Sequence, residues 1–184
     1  MSGPAAVDLL DRALRQTGRL IAATGPNQGT LPTPCSAWDV AALVRHVVGN
    51  DLRNFAVVAA GGVPQWGAPP DDPGHDWTAA YEAGAEGVRA AWRAAEAPQW
   101  SRADQQIAEL AAHGWDLARA TGQDDLDPAL AEHGLAWAKG MLRPEHRGPD
   151  KAFAAEVAVP DDAPAYDRLA GWFGRDPSWR AAGR

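Results

Sequence analysis

Apolar residues recur at helical spacing along most of the chain. Near the N-terminus, Val7, Leu10, Leu14 and Ile21 follow one another at steps of three, four and seven residues, so they share one face of a helix. This stripe predicts a first amphipathic helix that ends near Gly25-Pro26, because the glycine–proline pair cannot continue a helix.

A second amphipathic helix is predicted from about residue 36 to Gly61-Gly62. Its apolar face is formed by Val40, Val44, Val47, Val48 and Phe55. Two signals compete for its start. Thr33-Pro34 offers an N-cap followed by proline in the first turn, and Ser36-Ala-Trp-Asp39 offers a capping box.

Residues 63–75 hold four prolines and read as a loop, placed over the mouth of a pocket. A third helix follows, with an apolar stripe from Trp77 to Ala95 and a stop at Pro98. Ser101-Arg-Ala-Asp104 is a capping box that predicts a fourth helix ending at Thr121-Gly122. Asp127-Pro128 predicts the start of a fifth.

The tail from residue 142 is less regular. It contains a short candidate for extended structure at residues 153–159 and one or two helical turns around residues 166–173. With no series of alternating strands, the pattern predicts an all-α fold, a four-helix bundle with short C-terminal additions. We expect a single domain over residues 1–184, with the core bundle at about 4–122 and a C-terminal helix and irregular tail at 127–184.

Composition and charge narrow the class of protein. The formal net charge of −7 argues against a general nucleic-acid binder. The longest nearly apolar run, residues 55–63, is about half the length that crosses a bilayer. The N-terminus lacks the basic and apolar regions of a signal peptide, and Cys35, the only cysteine, cannot form an internal disulfide. We therefore expect a cytoplasmic protein with a small-molecule substrate, no membrane or nucleic-acid partner, and a possible homodimeric state.

Glu109 and His113 are the first candidates for chemistry. They are four residues apart on the fourth helix and so share one face, which Asp116 extends by three residues. A carboxylate and an imidazole at this spacing can bind one cation from the same side. A core histidine that is hydrogen-bonded to a helical neighbour explains the same pattern.

His46 strengthens the metal interpretation. It lies ten residues past Ser36, whereas Glu109 and His113 lie eight and twelve past Ser101. These offsets place His46 about 15 Å along the second helix, and Glu109 and His113 about 12 Å and about 18 Å along the fourth. The two helices run parallel in an up-down-up-down bundle, so the three side chains reach the same level. Two histidines and a carboxylate at one level form the ligand set of catalytic zinc or non-haem iron. Two unrelated core histidines remain the alternative.

Two segments resemble a known family. Residues 33–50, which run from Thr33-Pro-Cys-Ser-Ala-Trp-Asp39 through His46, resemble the first motif of the DinB-like proteins related to mycothiol-dependent maleylpyruvate isomerase. Glu109-Leu-Ala-Ala-His113-Gly-Trp-Asp116 resembles the second motif. The closing stretch, residues 157–169 together with Phe173-Gly-Arg-Asp-Pro177, is similar to one actinobacterial branch.

The resemblance implies a DinB-like four-helix bundle in which His46, Glu109 and His113 bind a divalent metal, often zinc. It also implies a low-molecular-weight thiol as co-substrate. The arginine-rich, lysine-poor composition is typical of a G+C-rich genome and favours mycothiol as that thiol. That isomerase has a further C-terminal domain, for which 184 residues leave no room.

The function that follows is a metal-dependent thiol S-transferase or isomerase acting on a small electrophile. A bound cation stabilises the thiolate, which is the nucleophilic form of the co-substrate. A hydrolase or an iron-dependent oxygenase on the same triad is the second candidate. A non-catalytic bundle that binds metal or a small ligand is the third.

Further residues are assigned roles around the triad. Asp116 is expected to orient a ligand or take a proton, or else to be a surface charge that pairs with Arg119. Asn50 and Arg53 share the face of His46 and are expected to contact an anionic substrate or the thiol, unless they are simply exposed. Trp66 is predicted to line a pocket that binds the thiol or substrate. Cys35 is read as a packing residue, with a reactive, low-pKa thiol as the alternative.

Overall fold

The fold is all-α, as the sequence predicts. The structure is a computed structural model that describes residues 4–148 and 153–181, and within these ranges it contains helices and isolated β-bridges but no strand. The helices are α1 (Pro4–Ala22), α2 (Val40–His46), α3 (Leu52–Ala59), α4 (Trp77–Ala94), α5 (Ala103–Thr121), α6 (Pro128–Met141) and α7 (Ala165–Trp172). A π-helical segment, Val47–Asp51, joins α2 to α3 without a break.

Four helical units form a DinB-like bundle: α1, the continuous unit of α2, the π segment and α3, then α4, and finally α5. α1 packs against α4 and α5, α3 packs against α4, and α2 with the π segment closes the bundle against α5. The largest fully buried side chains at their interfaces include Leu10, Phe55, Tyr81, Ile107 and Trp115. Burial of these apolar side chains is the main favourable contribution to folding.

The C-terminal elements pack on one side of the bundle. α6 lies along α5, and α7 lies against both α6 and α5. Residues 153–159, which the sequence predicts to be extended, form no strand. Phe153 makes one isolated bridge with Arg147, and the Val157 N–H donates to the Gly171 carbonyl at 2.9 Å. The chain then continues past α7 towards α5, where it reaches the candidate site.

Two of the predicted helix starts are wrong. α2 begins at Val40, where the Asp39 carboxylate accepts the Ala42 N–H at 2.8 Å, whereas the Thr33 hydroxyl lies 2.9 Å from the Trp38 carbonyl oxygen instead of capping a helix. The expected capping box at residues 101–104 is replaced by a 3₁₀ turn that ends at Arg102 and carries no side-chain cap. The Asp127 start is confirmed, since its carboxylate accepts the Ala129 N–H.

The loop between α3 and α4 is fastened to the π segment. The Asn50 amide donates to the carbonyl oxygens of Trp66 (3.2 Å) and Ala68 (2.9 Å), and the Asp71 N–H donates to the Gly49 carbonyl (3.2 Å). The backbones approach so closely that a Cβ on Gly49 would lie 2.1 Å from the Asp71 carbonyl oxygen. The loop is thereby held beside His46. No helix in the described ranges is both long and apolar enough to span a bilayer.

Candidate metal centre

Three side chains, one each from α2, the π segment and α5, come together at one place in the bundle. His46 ends α2, Asp51 ends the π segment, and His113 lies on α5. Each offers one nitrogen or oxygen atom, and these three atoms all lie within 4.8 Å of one another. The rings of His46 and His113 meet edge to face with their centroids 5.2 Å apart, and Trp38 contacts both rings.

The π segment is what brings Asp51 into this cluster. In a π-helical turn the hydrogen bonds join residues five apart, so side chains at that spacing align. His46 and Asp51 have this spacing, and His46 Nε2 lies 3.2 Å from Asp51 Oδ1. In a regular α-helix the same two side chains would point about 140° apart. Sequence reasoning missed Asp51 for this reason, and no signal in the sequence alone marks the π turn.

Asp51 has an unusual environment for a carboxylate. Its side chain is 2% exposed, and Oδ2 has no hydrogen-bond partner among the described residues. A buried carboxylate oxygen without a partner is costly, because the oxygen has lost its water without replacement. A partnerless carboxylate oxygen beside two imidazoles is suited to bind a cation held between the three side chains.

Glu109 lies at the edge of the same cluster. Its Oε2 is 3.8 Å from His113 Nε2. Burial raises the pKa of Glu109 above its ordinary value, and the negative charge of nearby Asp51 raises it further. Asp51 and Glu109 are close enough to repel each other, and a cation between them would relieve this repulsion. Together with the two imidazoles they form a donor set that suits zinc or ferrous iron. The residues present therefore fit a divalent metal.

Asp116 is completely buried, so the alternative of a surface charge pairing with Arg119 is wrong. Arg119 instead bonds Asp167 at 3.0 Å. The Asp116 carboxylate lies 3.4 Å from His113 Nδ1 and accepts hydrogen bonds from Arg175 Nη2 (2.7 Å) and Nε (3.1 Å). Because Nδ1 of His113 faces Asp116, the other ring nitrogen, Nε2, faces the proposed metal ligands.

The charges of this pair shift the nearby pKa values. Burial alone would raise the pKa of Asp116, but Arg175 and the hydrogen bond with His113 lower it below its ordinary value. Burial alone would lower the pKa of His113, whereas its hydrogen bond with Asp116 and the charge of Asp51 raise it. The pKa of Arg175 is likewise raised by Asp116 despite burial. Asp116 and Arg175 are therefore both held in their charged forms.

A cavity of about 520 Å³ opens beside the cluster. It is lined by His46, Asp51, Glu109 and His113 on the metal side, and elsewhere by Cys35, Ala37, Trp38, Asn50, Trp66, Gln105, Ala112, Phe153, Phe173 and Arg175. The lining includes Trp66, which the sequence analysis placed in a pocket. A larger cavity of about 870 Å³ lies near the start of α4, and none of the four candidate ligands lines it.

Three other predicted residues have different surroundings. Asn50 lines the cavity, but its amide nitrogen is occupied by the loop carbonyls described above. Arg53 lies outside the cavity lining, with its guanidinium on the Asp71 carboxylate at 2.9 Å. Cys35 faces the cavity, and burial raises the pKa of its thiol, so the alternative of an activated low-pKa thiol is not supported.

Arg175 is a second residue whose role the sequence did not reveal, although it lies within the Phe173-Gly-Arg-Asp-Pro177 stretch singled out above. It lies 59 residues from Asp116 along the chain, in the irregular tail. Gly174 immediately before it has φ +78°, and a Cβ there would lie 2.7 Å from the Ala155 carbonyl oxygen. No periodicity links a tail of this kind to a helix face, so only the three-dimensional structure reveals the contact.

Comparison with known proteins identifies the family. A family model described as the mycothiol maleylpyruvate isomerase N-terminal domain matches residues 10–118, a range that includes His46, Asp51, Glu109, His113 and Asp116. Two Mycobacterium tuberculosis proteins, Rv0738 and MT0763, each described as uncharacterized, are 36% identical over 160 residues, covering 78% of this chain and 83% of each relative. No solved structure matches significantly. The chain belongs to the family of the mycothiol maleylpyruvate isomerase N-terminal domain.

Proposed function

We propose that the protein binds one divalent metal ion, zinc in the first place, and uses it in a thiol-dependent transfer or isomerisation of a small electrophile. The ligands are His46 and His113 with the carboxylates of Glu109 and Asp51. The observation that carries the proposal is the convergence of these side chains beside a cavity, around a buried carboxylate oxygen with no partner among the described residues. Membership of a family named for a mycothiol-dependent enzyme supports a thiol, with mycothiol as the candidate.

The metal, when bound, supplies a Lewis acid that favours the deprotonated, nucleophilic form of a thiol. The chain's own residues set up the site. Asp116 Oδ2 accepts the His113 Nδ1 proton, which fixes the tautomer and keeps Nε2 facing the cluster. Arg175 in turn fixes Asp116 through two nitrogens.

The cavity walls place aromatic side chains beside the proposed metal ligands. Trp38 packs on the rings of both His46 and His113, and Trp66 forms another part of the lining. Because the pKa of Cys35 is raised, this residue stays a neutral thiol and the nucleophile is expected to come from a bound co-substrate. Addition of a thiol S–H across a polarised carbon–carbon double bond places the sulfur on one carbon and the proton on the other. The resulting thioether is the product of S-transfer, and elimination of the same thiol after rotation about the new single bond gives the isomerised double bond.

A spectroscopic titration tests the proposal. The protein is loaded with cobalt(II) in place of zinc, and mycothiol is added while the visible absorption is recorded. We expect a saturable spectral change at about one thiol per metal, because the thiol sulfur enters the cobalt environment. Absence of any response to mycothiol, cysteine or another small thiol contradicts thiol dependence.

Two variants separate this function from its competitors. His113→Ala is expected to remove the thiol response, whereas His146→Ala, an exposed histidine in a 3₁₀ turn, keeps it. If His113→Ala changes only the melting curve of a protein that shows no thiol chemistry, the bundle is a non-catalytic binder. The same donor set suits ferrous iron, and turnover that requires ferrous iron and oxygen would select an oxygenase instead.

A further inference from the structure

The walls of the metal-side cavity are aromatic. Trp38 precedes α2, Trp66 lies on the loop after α3, and Phe153 and Phe173 belong to the C-terminal segment. Three separate parts of the chain therefore bring rings to one space. The Phe153 and Phe173 rings pack together with centroids 5.7 Å apart. Rings that surround a cavity from several sides favour a flat, apolar or aromatic occupant.

The charged groups of the lining leave no cation for a substrate. Among the described lining residues, Arg175 is the only guanidinium, and no lysine occurs. Its nitrogens bond the Asp116 carboxylate and the Phe173 carbonyl oxygen. The imidazoles of His46 and His113 already lie against carboxylates, at 3.2 Å from Asp51 and 3.4 Å from Asp116. The other charged groups, Asp51 and Glu109, are acidic, and a divalent cation bound between them balances their two charges.

The remaining polar groups of the lining, the Cys35 thiol and the amides of Asn50 and Gln105, are neutral. Gln105 lies one helical turn before Glu109 on α5, and its amide adds a donor and an acceptor to the wall. A neutral amide is suited to a carbonyl or nitro oxygen. It does not supply the charge-assisted, bidentate contacts that a carboxylate receives from arginine.

We propose that the electrophile is an uncharged molecule with an aromatic or similarly flat apolar body, such as an aryl-substituted unsaturated carbonyl compound, and not a dicarboxylate. This inference rests on the proposed function for the statement that the occupant is an electrophile. The recognition itself depends on the aromatic walls and on the engagement of Arg175, which are present with or without metal. Dicarboxylates are excluded because the metal can accept only one of the two carboxylates, and the second would enter a space with no available guanidinium or ammonium among its described residues.

Four probes that combine the presence or absence of a ring with the presence or absence of charge test the proposal. They are methyl cinnamate, cinnamate, dimethyl maleate and maleate, titrated by calorimetry into zinc-loaded and chelator-treated protein without added thiol. We expect methyl cinnamate to bind most tightly in both forms, at least about tenfold more tightly than cinnamate or maleate, since its ring is buried with no charge to desolvate.

Substitutions in the wall supply the control. Trp66→Ala is expected to weaken methyl cinnamate binding about tenfold, and Trp137→Ala, a partly buried tryptophan of α6 outside this cavity, to leave it unchanged. Melting curves of both variants verify folding. If Trp66→Ala does not fold, the preference among the four probes in the unaltered protein still decides.

The two proposals fail in different ways. Cinnamate or maleate binding as tightly as methyl cinnamate, in either metal state, overturns the neutral-substrate proposal, as does equal binding by the Trp66 and Trp137 variants. Failure to take up metal overturns the proposed function alone, because the probe series can still be run on the metal-free protein.

Discussion

Glu109 is the residue at which metal binding and folding stability oppose each other. Its pKa is raised by burial and by the charge of Asp51, so the folded state binds the Glu109 proton more tightly than the unfolded state does. At a pH above the raised folded-state pKa, Glu109 is ionised and lowers the free energy of unfolding. At a pH below the ordinary pKa of 4.5, Glu109 is protonated in both states and this cost disappears. A charge kept at such a cost is typical of a functional site.

Glu109→Gln tests this opposition. In chelator-treated protein we expect the substitution to increase the free energy of unfolding at neutral pH, because it removes a partly buried negative charge close to Asp51, and to have little effect once the pH is below 4.5. In metal-loaded protein we expect affinity to fall by about tenfold or more. Urea unfolding across the pH range and chelator competition measure the two effects.

Glu132→Gln on the exposed face of α6 is the matched control and should change neither quantity. A stability gain in Glu109→Gln that persists unchanged into acid would contradict the assigned pKa shift. Unaltered metal affinity would remove Glu109 from the ligand set.

At the scale of single residues, the sequence identifies candidates that share regular helical spacing. His46, Glu109 and His113 were predicted as ligands from four-residue spacing and from similar depths counted from Ser36 and Ser101. Both of these helix starts are wrong, but all three residues line one cavity. Asp51 was not found, because its alignment with His46 requires a π turn. Arg175 was not found, because it reaches Asp116 through tertiary folding of an irregular tail.

At the scale of elements, the π segment and the loop after α3 act as one unit. Gly49 is the point of closest approach, where the loop backbone at Asp71 leaves no space for a Cβ. The positions of the helices could be predicted from apolar periodicity. The packing of the loop on the π segment could not, because it depends on backbone contact and on the side-chain amides of Asn50 and Asn54. The side-chain oxygen of Asn54, Oδ1, accepts the Gln65 N–H at 2.7 Å.

Gly49→Ala is expected to destabilise the protein by about 2 kcal/mol, because the loop must move away from the π segment. The position of Trp66 should change with it, which a shift in tryptophan fluorescence that disappears in a Trp66→Phe background would report. Gly87→Ala on the exposed face of α4, where a Cβ meets nothing within 4 Å, should instead stabilise the protein by about 1 kcal/mol. Equal effects of the two substitutions would contradict the close approach.

At the scale of the whole molecule, the site is assembled from two parts of the chain. The matched family region, residues 10–118, supplies the four proposed metal ligands and Asp116. The C-terminal segment supplies Phe153, Phe173 and Arg175 to the same cavity. Docking of the tail on α5 is therefore coupled to the orientation of His113 through the Arg175–Asp116 pair.

Arg175→Met tests this coupling. The substitution leaves Asp116 buried without its main partner, and we expect the free energy of unfolding to fall by about 3 kcal/mol. Metal affinity should also fall, because Asp116 no longer fixes His113. Arg180→Met, in which an exposed arginine bonded to neighbouring carbonyl oxygens is lost, is the control. Wild-type metal affinity in a destabilised Arg175→Met protein would show that the tail is purely structural.

We propose that His46 and His113 hold a metal ion with the help of two carboxylates. Elemental analysis of purified protein that has been loaded with zinc and dialysed tests this proposal. We expect about one zinc per chain, retained when the exposed His75 and His146 are replaced by alanine and lost in His46→Ala/His113→Ala. Protein that retains no zinc, or a double variant that retains as much as the wild type, would contradict it.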